Sequence, residues 1–294
     1  MSSGEKRFLE SWIEPVIPYP ALLLRGSEDR ILVVADLHIG WEASFSEYGI
    51  HVPSQTPKLI EKLAQVIHVA SPTQLVILGD VKHAVARVKP EEWRDVPQFF
   101  EEALKLVPEI KVVPGNHDGN LAPLTPRIVE ILPASGTTLT EDVSLIHGHA
   151  WPSPGLLSCS TMVMGHVHPV IGFSDALGFR TFKQVWVKAE CDGKILAKTL
   201  LKHLKIRTKR KLEIEYEERF KTRPKTSRCI IMPTFNDFIG GQSINRGGRW
   251  SKSTSKGDYI GPILRSQSVN IEEAEVHMLD GTFLGRISQL KAFA

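Results

Sequence analysis

Ile31-Leu32-Val33-Val34-Ala35-Asp36-Leu37-His38 is the stretch on which the fold turns. A short, continuous, largely β-branched apolar run suits a strand covered on both faces. The run stops abruptly at an aspartate and a histidine. The same pattern recurs downstream. Leu75-Val76-Ile77-Leu78 leads into Gly79-Asp80, and Ile110-Lys111-Val112-Val113 leads into Gly115-Asn116-His117-Asp118. Val143-Ser144-Leu145-Ile146 leads into His147-Gly148-His149, and Thr161-Met162-Val163-Met164 into Gly165-His166-Val167-His168. Between the runs, residues 57–70 place Leu59, Leu63, Val66, Ile67 and Ala70 at spacings that predict one helical face. Residues 91–106 predict a second helix. Strand and helix in alternation predict an α/β sheet with crossover connections.

Composition sets the limits. A chain of 294 residues that is 42% hydrophobic can bury a large core, as one large domain or one domain with a small appendage. The net charge of +3 says little about partners. The cysteines Cys159, Cys191 and Cys229 form no CxxC pair, which argues against a disulfide framework and fits a reducing compartment. Residues 1–7 are polar, with no apolar core of a signal peptide. The longest apolar runs, about five residues, fall far short of the roughly 20 that span a bilayer. The expectation is a cytoplasmic protein without membrane association.

In α/β sheets the carboxyl ends of the strands face a common crevice where ligands bind. The polar clusters above all follow apolar runs, so the fold can bring their side chains together. Each residue alone has an ordinary explanation: Asp36 could cap a helix, Asn116 could sit in a turn, and a lone histidine could be a polar turn residue. Those explanations do not jointly account for five strand ends that stop in metal-ligand types. The mixture of carboxylate, amide oxygen and imidazole suits borderline divalent ions such as Mn, Fe or Zn better than Ca or Mg, which favour all-oxygen sites.

Asp-x-His, Gly-Asp, Gly-Asn-His-Asp, His-Gly-His and Gly-His-x-His, in this order over about 31–169, resemble the calcineurin-like metallophosphoesterase superfamily. Asp36-Leu37-His38-Ile39-Gly40, Gly79-Asp80-Val81-Lys82-His83, Gly165-His166-Val167-His168-Pro169 and Met232-Pro233-Thr234-Phe235-Asn236 with Gly240-Gly241 look closest to archaeal SbcD-related phosphoesterases and bacterial helicase-associated DNA endonucleases. The resemblance implies a four-layer α/β/β/α sandwich of two mixed sheets flanked by helices. It implies a dinuclear phosphoesterase that hydrolyses phosphodiesters with a metal-bridging hydroxide. Two divalent ions are expected, Mn first, with Fe or Zn as alternatives. Asp36, His38 and His168 would hold one ion, Asn116, His147 and His166 the other, with Asp80 between them. His117 would face the scissile ester rather than a metal. Asp118 would orient His117, and His149 and His83 would touch substrate. A helicase partner is implied by the same resemblance.

The reaction type is clearer than the substrate. From Lys198 to Arg228 there are 12 Lys/Arg against 4 Glu. Basic stretches attract phosphate backbones. Arg246, Arg249 and Trp250 sit in a Gly/Ser/Lys-rich loop over 240–261, expected to be flexible, where a base could stack on Trp250. Both features favour nucleic acid, DNA or RNA. The alternatives are an enzyme acting on small nucleotides, or a scaffold that kept the fold without the catalysis. The expected organisation is an N-terminal extension over 1–15 and one domain over 16–294. Alternation of Leu212, Ile214 and Tyr216 with Glu213, Glu215 and Glu217 predicts a strand with one wet face, inside a charged hairpin or sheet extension over 194–228.

Overall fold

Side chains alternate across a strand, and that alternation sorts this chain into layers. The computed structural model describes residues 12–26, 29–46, 48–174, 177–207, 210–245 and 260–291. The first sheet has six strands in chain order: β1 (Trp12–Pro15), β2 (Ala21–Arg25), β3 (Arg30–Ala35), β4 (Gln74–Leu78), β5 (Glu109–Val113) and β6 (Glu130–Ile131). β1, β2 and β3 pair antiparallel, and β3 to β6 run parallel. Its helices are α1 (Ala43–Ser46), α2 (Thr56–Ala70) and α3 (Pro90–Leu106).

The second sheet comprises β7 (Thr137–Thr138), β8 (Val143–Ile146), β9 (Thr161–Met164), β10 (Pro169–Ser174), β11 (Arg180–Glu190), β12 (Arg228–Ile231), β13 (Gln242–Ser243), β14 (Glu275–Met278) and β15 (Phe283–Arg286). The main path runs β13-β10-β11-β12-β9-β8-β7, with β14 on β11 and β15 on β14. β8, β9 and β12 are mutually parallel, so this sheet is mixed like the first.

Alternate residues of the same strands feed different cores. Leu22, Val33, Val76 and Val113 meet Leu145, Val163, Trp186 and Ile230 between the sheets. Leu23, Leu32, Val34 and Ile77 point the other way, onto Leu63, Val66, Phe99 and Phe100 of α2 and α3. Met164, Val187 and Ile231 cover the outer face of the second sheet against helices described below. The result is an α/β/β/α sandwich. It explains why the apolar runs are continuous: each strand is buried on both faces.

Two stretches fold differently from their sequence pattern. Residues 12–15, expected to lie in an extension, form β1 and pair with β2. Among the described residues, the stretch expected as a charged hairpin or sheet extension over 194–228 forms two helices, α4 (Gly193–His203) and α5 (Leu212–Phe220), before β12 begins at Arg228. The alternation in 212–217 was misleading. The period that matters is four: Tyr216 is buried, and Leu212 and Phe220 pack beside it on the outer core of the second sheet, while Ile214 faces water. Glu213 and Glu215 in the first turn also favour a helix, because its amino end attracts negative charge.

No helix among the described residues is long and apolar enough to cross a membrane. The three cysteines are free and buried. Most of the expected flexible loop, including Arg246, Arg249 and Trp250, lies outside the described residues.

Candidate metal centre

Facing sheets with parallel central strands put five strand ends at one edge of the sandwich: those of β3, β4 and β5 from one sheet, β8 and β9 from the other. Immediately beyond those ends the backbone turns sharply. Asp36, His38, Asp80, His166 and His168 have φ of 59°, 46°, 48°, 70° and 48°. A left-handed backbone is unfavourable for residues other than glycine and clusters at functional sites. Here it turns side chains from two sheets toward one another. The glycines beside them make room. A side chain on Gly79 would collide with the His147 ring, and one on Gly115 with the Asp80 carboxylate.

The ligand atoms converge in two overlapping groups. Asp36, His38, Asp80 and His168 offer atoms within 4.8 Å of one another, and so do Asp80, His147 and His166. Asp80 belongs to both. His147 Nε2 lies 2.9 Å from Asp36 Oδ1 and 3.6 Å from Asp80 Oδ2. His168 Nε2 lies 3.3 Å from Asp36 Oδ1, and His38 Nε2 lies 3.6 Å from Asp80 Oδ2. Asp36 and His147 are fully buried. Asn116 lines the same cavity, of about 730 Å³, with His117, His149, His166 and His168.

The electrostatics fit a cation. Burial, reinforced by His147, holds the His166 imidazole down at about 3. Burial also holds His83 and His149 at about 4, and takes His38 well below its ordinary value. These rings are therefore neutral near pH 7, the form that binds metals. Burial opposes charge on Asp36 too, yet His168 and His147 keep that carboxyl well below the usual range. Burial, with the nearby Asp36, raises Asp80. Burial opposes charge on His147 and His168, but their contacts with Asp36 raise both. Paired buried carboxylates beside these rings, with imidazole nitrogens only 3.3 Å apart at His38 and His168, form a donor set that a divalent cation would satisfy in place of those protons.

A third group adds His83 and His117 to His38. His83 Nδ1 lies 3.4 Å from His38 Nδ1, and His149 Nδ1 lies 3.0 Å from His147 Nδ1. Both substrate-contact candidates thus stand against metal-ligand candidates. His117 is held at several points. Its backbone N–H donates to Asp80 Oδ1 at 2.9 Å. Its Nδ1–H donates to the His83 carbonyl, which can only accept. That leaves Nε2 facing the centre, 3.9 Å from Asp80 Oδ2.

Asp118 bears on the loop of His117 rather than directly on its ring. Its carboxylate accepts the amides of Val81, Lys82 and Gly115, which ties the loop after β4 to the loop after β5. None of these bonds reaches the His117 ring. Burial and the neighbouring Asp80 push Asp118 up to about 6.

Sequence reasoning missed three residues. Lys82 is fully buried, and its ammonium donates to the carbonyls of His117 and Ala84. Trp151 and Arg265 line the cavity beyond His149 and His166. A tryptophan two residues past His149 was a usable signal; nothing local marked the burial of Lys82 or the placement of Arg265. The tail motif also reaches the site. Thr234 Oγ1 donates to the Asp36 carbonyl and Asn236 Nδ2 to that of Leu37, both at 2.8 Å. A larger cavity of about 1080 Å³, lined by residues such as Cys191, Lys194, Thr226 and Ser268, contains none of the clustered ligands.

Sheets, strand ends and donor set define a candidate metal centre, and family membership makes its class a metal-dependent hydrolase of phosphoester bonds. The model of the calcineurin-like phosphoesterase family matches residues 29–200, more than half the chain, and the chain belongs to that family. Among solved structures, it is similar to the nuclease MPE of Pseudomonas putida, with 18% identity and a TM-score of 0.46, covering 92% of this chain and 97% of that one. It is also similar to Yfce, a phosphoesterase from E. coli, with 21% identity and a TM-score of 0.31, covering 50% of this chain and 74% of that one. Comparison with curated proteins finds no match.

Proposed function

We propose that this chain is a dinuclear phosphodiesterase acting on nucleic acid, DNA or RNA, with Mn as its preferred metal and Fe or Zn as alternatives. The observation that carries this reading is the position of Asp80, whose carboxylate belongs to both ligand groups. Asp36, His38 and His168 would hold one ion, and Asn116, His147 and His166 the other. Bound there, two divalent cations would supply an activated water as nucleophile and offset charge on the phosphoryl oxygens.

The chain's own residues do the rest. His117 Nε2 is the ring nitrogen turned to the centre, so the imidazolium, with Nδ1–H held by the His83 carbonyl, can pass its Nε2 proton to the departing ester oxygen. Lys82, Asp118 and the His83 carbonyl hold that imidazole and its loop before substrate arrives. Preorganised groups need no rearrangement at the moment of reaction. His149 and His83, at the edges of the centre, contact the substrate phosphate. The motif resemblance to helicase-associated endonucleases supports a nucleic-acid substrate and a helicase partner.

The test compares bis(p-nitrophenyl) phosphate with p-nitrophenyl phosphate, and then DNA with RNA, in the presence and absence of added Mn. Mn-dependent preference for the diester is expected. Exclusive turnover of the monoester would overturn the phosphodiesterase reading.

A further inference from the structure

Neither indole nor guanidinium is a metal ligand at this centre, so the Trp151–Arg265 wall of the cavity has no part in holding cations. Trp151 lies two residues beyond the fourth ligand cluster. It packs on the outer core of the second sheet, and its ring stacks on His203 with centroids 4.9 Å apart and planes 20° apart. His203 is the last residue of α4, and Lys202, Lys205 and Arg207 around it are exposed. Side-chain contacts therefore lead from the cavity wall, through the anchored Trp151 ring, to His203 at the basic end of α4.

We propose, on the phosphodiesterase reading above, that this wall is a subsite for single-stranded nucleic acid flanking the scissile phosphate. The unpaired base beside that phosphate contacts Trp151. Arg265 receives a neighbouring phosphate, and the strand continues over Lys202, Lys205 and Arg207. An unpaired strand is specified because a duplex keeps its base faces stacked inside. The subsite tolerates any base, since every base has a π-face, and the cationic side chains read only the backbone.

The experiment measures binding of a fluorescently labelled oligothymidylate by anisotropy. The full, Mn-loaded chain carries His117→Ala in every sample, so the bound strand is not cut. Trp151→Leu keeps an apolar, though smaller, side chain on the core without a π-face and should weaken binding about tenfold or more. Trp151→Phe should stay within about threefold of the parent. Arg265→Ala should lower the slope of log affinity against log salt by about 0.7, and the triple change Lys202→Ala, Lys205→Ala, Arg207→Ala by about 2. A fully paired hairpin should bind more weakly than the single strand.

The subsite is overturned if Trp151→Leu binds as the parent does, if Trp151→Phe loses as much as Trp151→Leu, or if the parent binds no oligonucleotide. Parallel turnover of bis(p-nitrophenyl) phosphate by the unmutated chain separates the two readings. No diester turnover removes the phosphodiesterase while the binding series still reports on the wall. Diester turnover with an indifferent Trp151→Leu removes the wall alone.

Discussion

The loops that carry Asp36, Asp80, His147 and His166 press their polar groups against one another, whereas α4 and α5 hold theirs out to water. Both regions are rich in ionisable residues, and the difference lies in the backbone beneath. At the strand ends, left-handed turns from two sheets aim side chains into one buried space. In the helices, the apolar face carrying Leu196, Leu200, Leu201 and Tyr216 is buried, and the charges on the opposite face pair locally. Lys194 meets Glu213, Arg210 meets Glu218 and Arg223 meets Glu217, at 2.8, 2.8 and 2.7 Å. Exposed pairs of this kind contribute little to stability, because water screens them and holding two long side chains costs entropy. Charge becomes chemistry only where the chain forces it together.

The sharpest way to break this contrast is Asp80→Asn. It should abolish turnover and lower bound metal, read by elemental analysis of the purified protein; full metal content with normal activity would remove the shared ligand. His117→Ala comes next. It should keep its metal and lose about a thousandfold in kcat, within the range for general acid–base groups. A change of only a few-fold would take away its role.

Third is Tyr216→Ala in α5. It empties a fully buried site and leaves the Pro154 carbonyl without the donor it now has at 2.8 Å. Urea unfolding should show a loss of about 3 kcal/mol, as large aromatic-to-alanine changes in cores do. Lys82→Met should follow, with kcat down about tenfold at unchanged metal content, because the loop carrying His117 loses its tether while most of the space stays filled. Lys194→Ala should do least: turnover unchanged and Tm within about a degree or two of the parent. A large drop there would mean that the helical charges carry more than solvation.

Much of the first region was legible because its signals are local. Five apolar runs ending in ligand types can be read without knowing the fold, and the fold then brings Asp80 within reach of both His38 and His147. The second region misled for an equally local reason. Leu212-x-Ile214-x-Tyr216 fits a strand, and only Phe220, one further helical turn along, reveals the four-residue period. What stayed hidden depends on contacts between distant residues. Lys82 reads as a solvated charge until its loop folds over the loop of His117, and Trp151 gains meaning only against His203 and Arg265. The charge run over 198–228 named a composition, not a surface.

The bond from Thr234 to the Asp36 carbonyl spans 198 positions, and that span sets an order in time. A ribosome releases Asp36 long before Thr234. While the chain is being made, every residue of 36–168 is already present, yet the loop that carries the first aspartate still lacks its fastening. The nascent protein thus passes through a long interval in which the clustered ligands are all present while the loop of Asp36 is not yet tied down. The loop gains that fastening only when residues 234–236 emerge and dock.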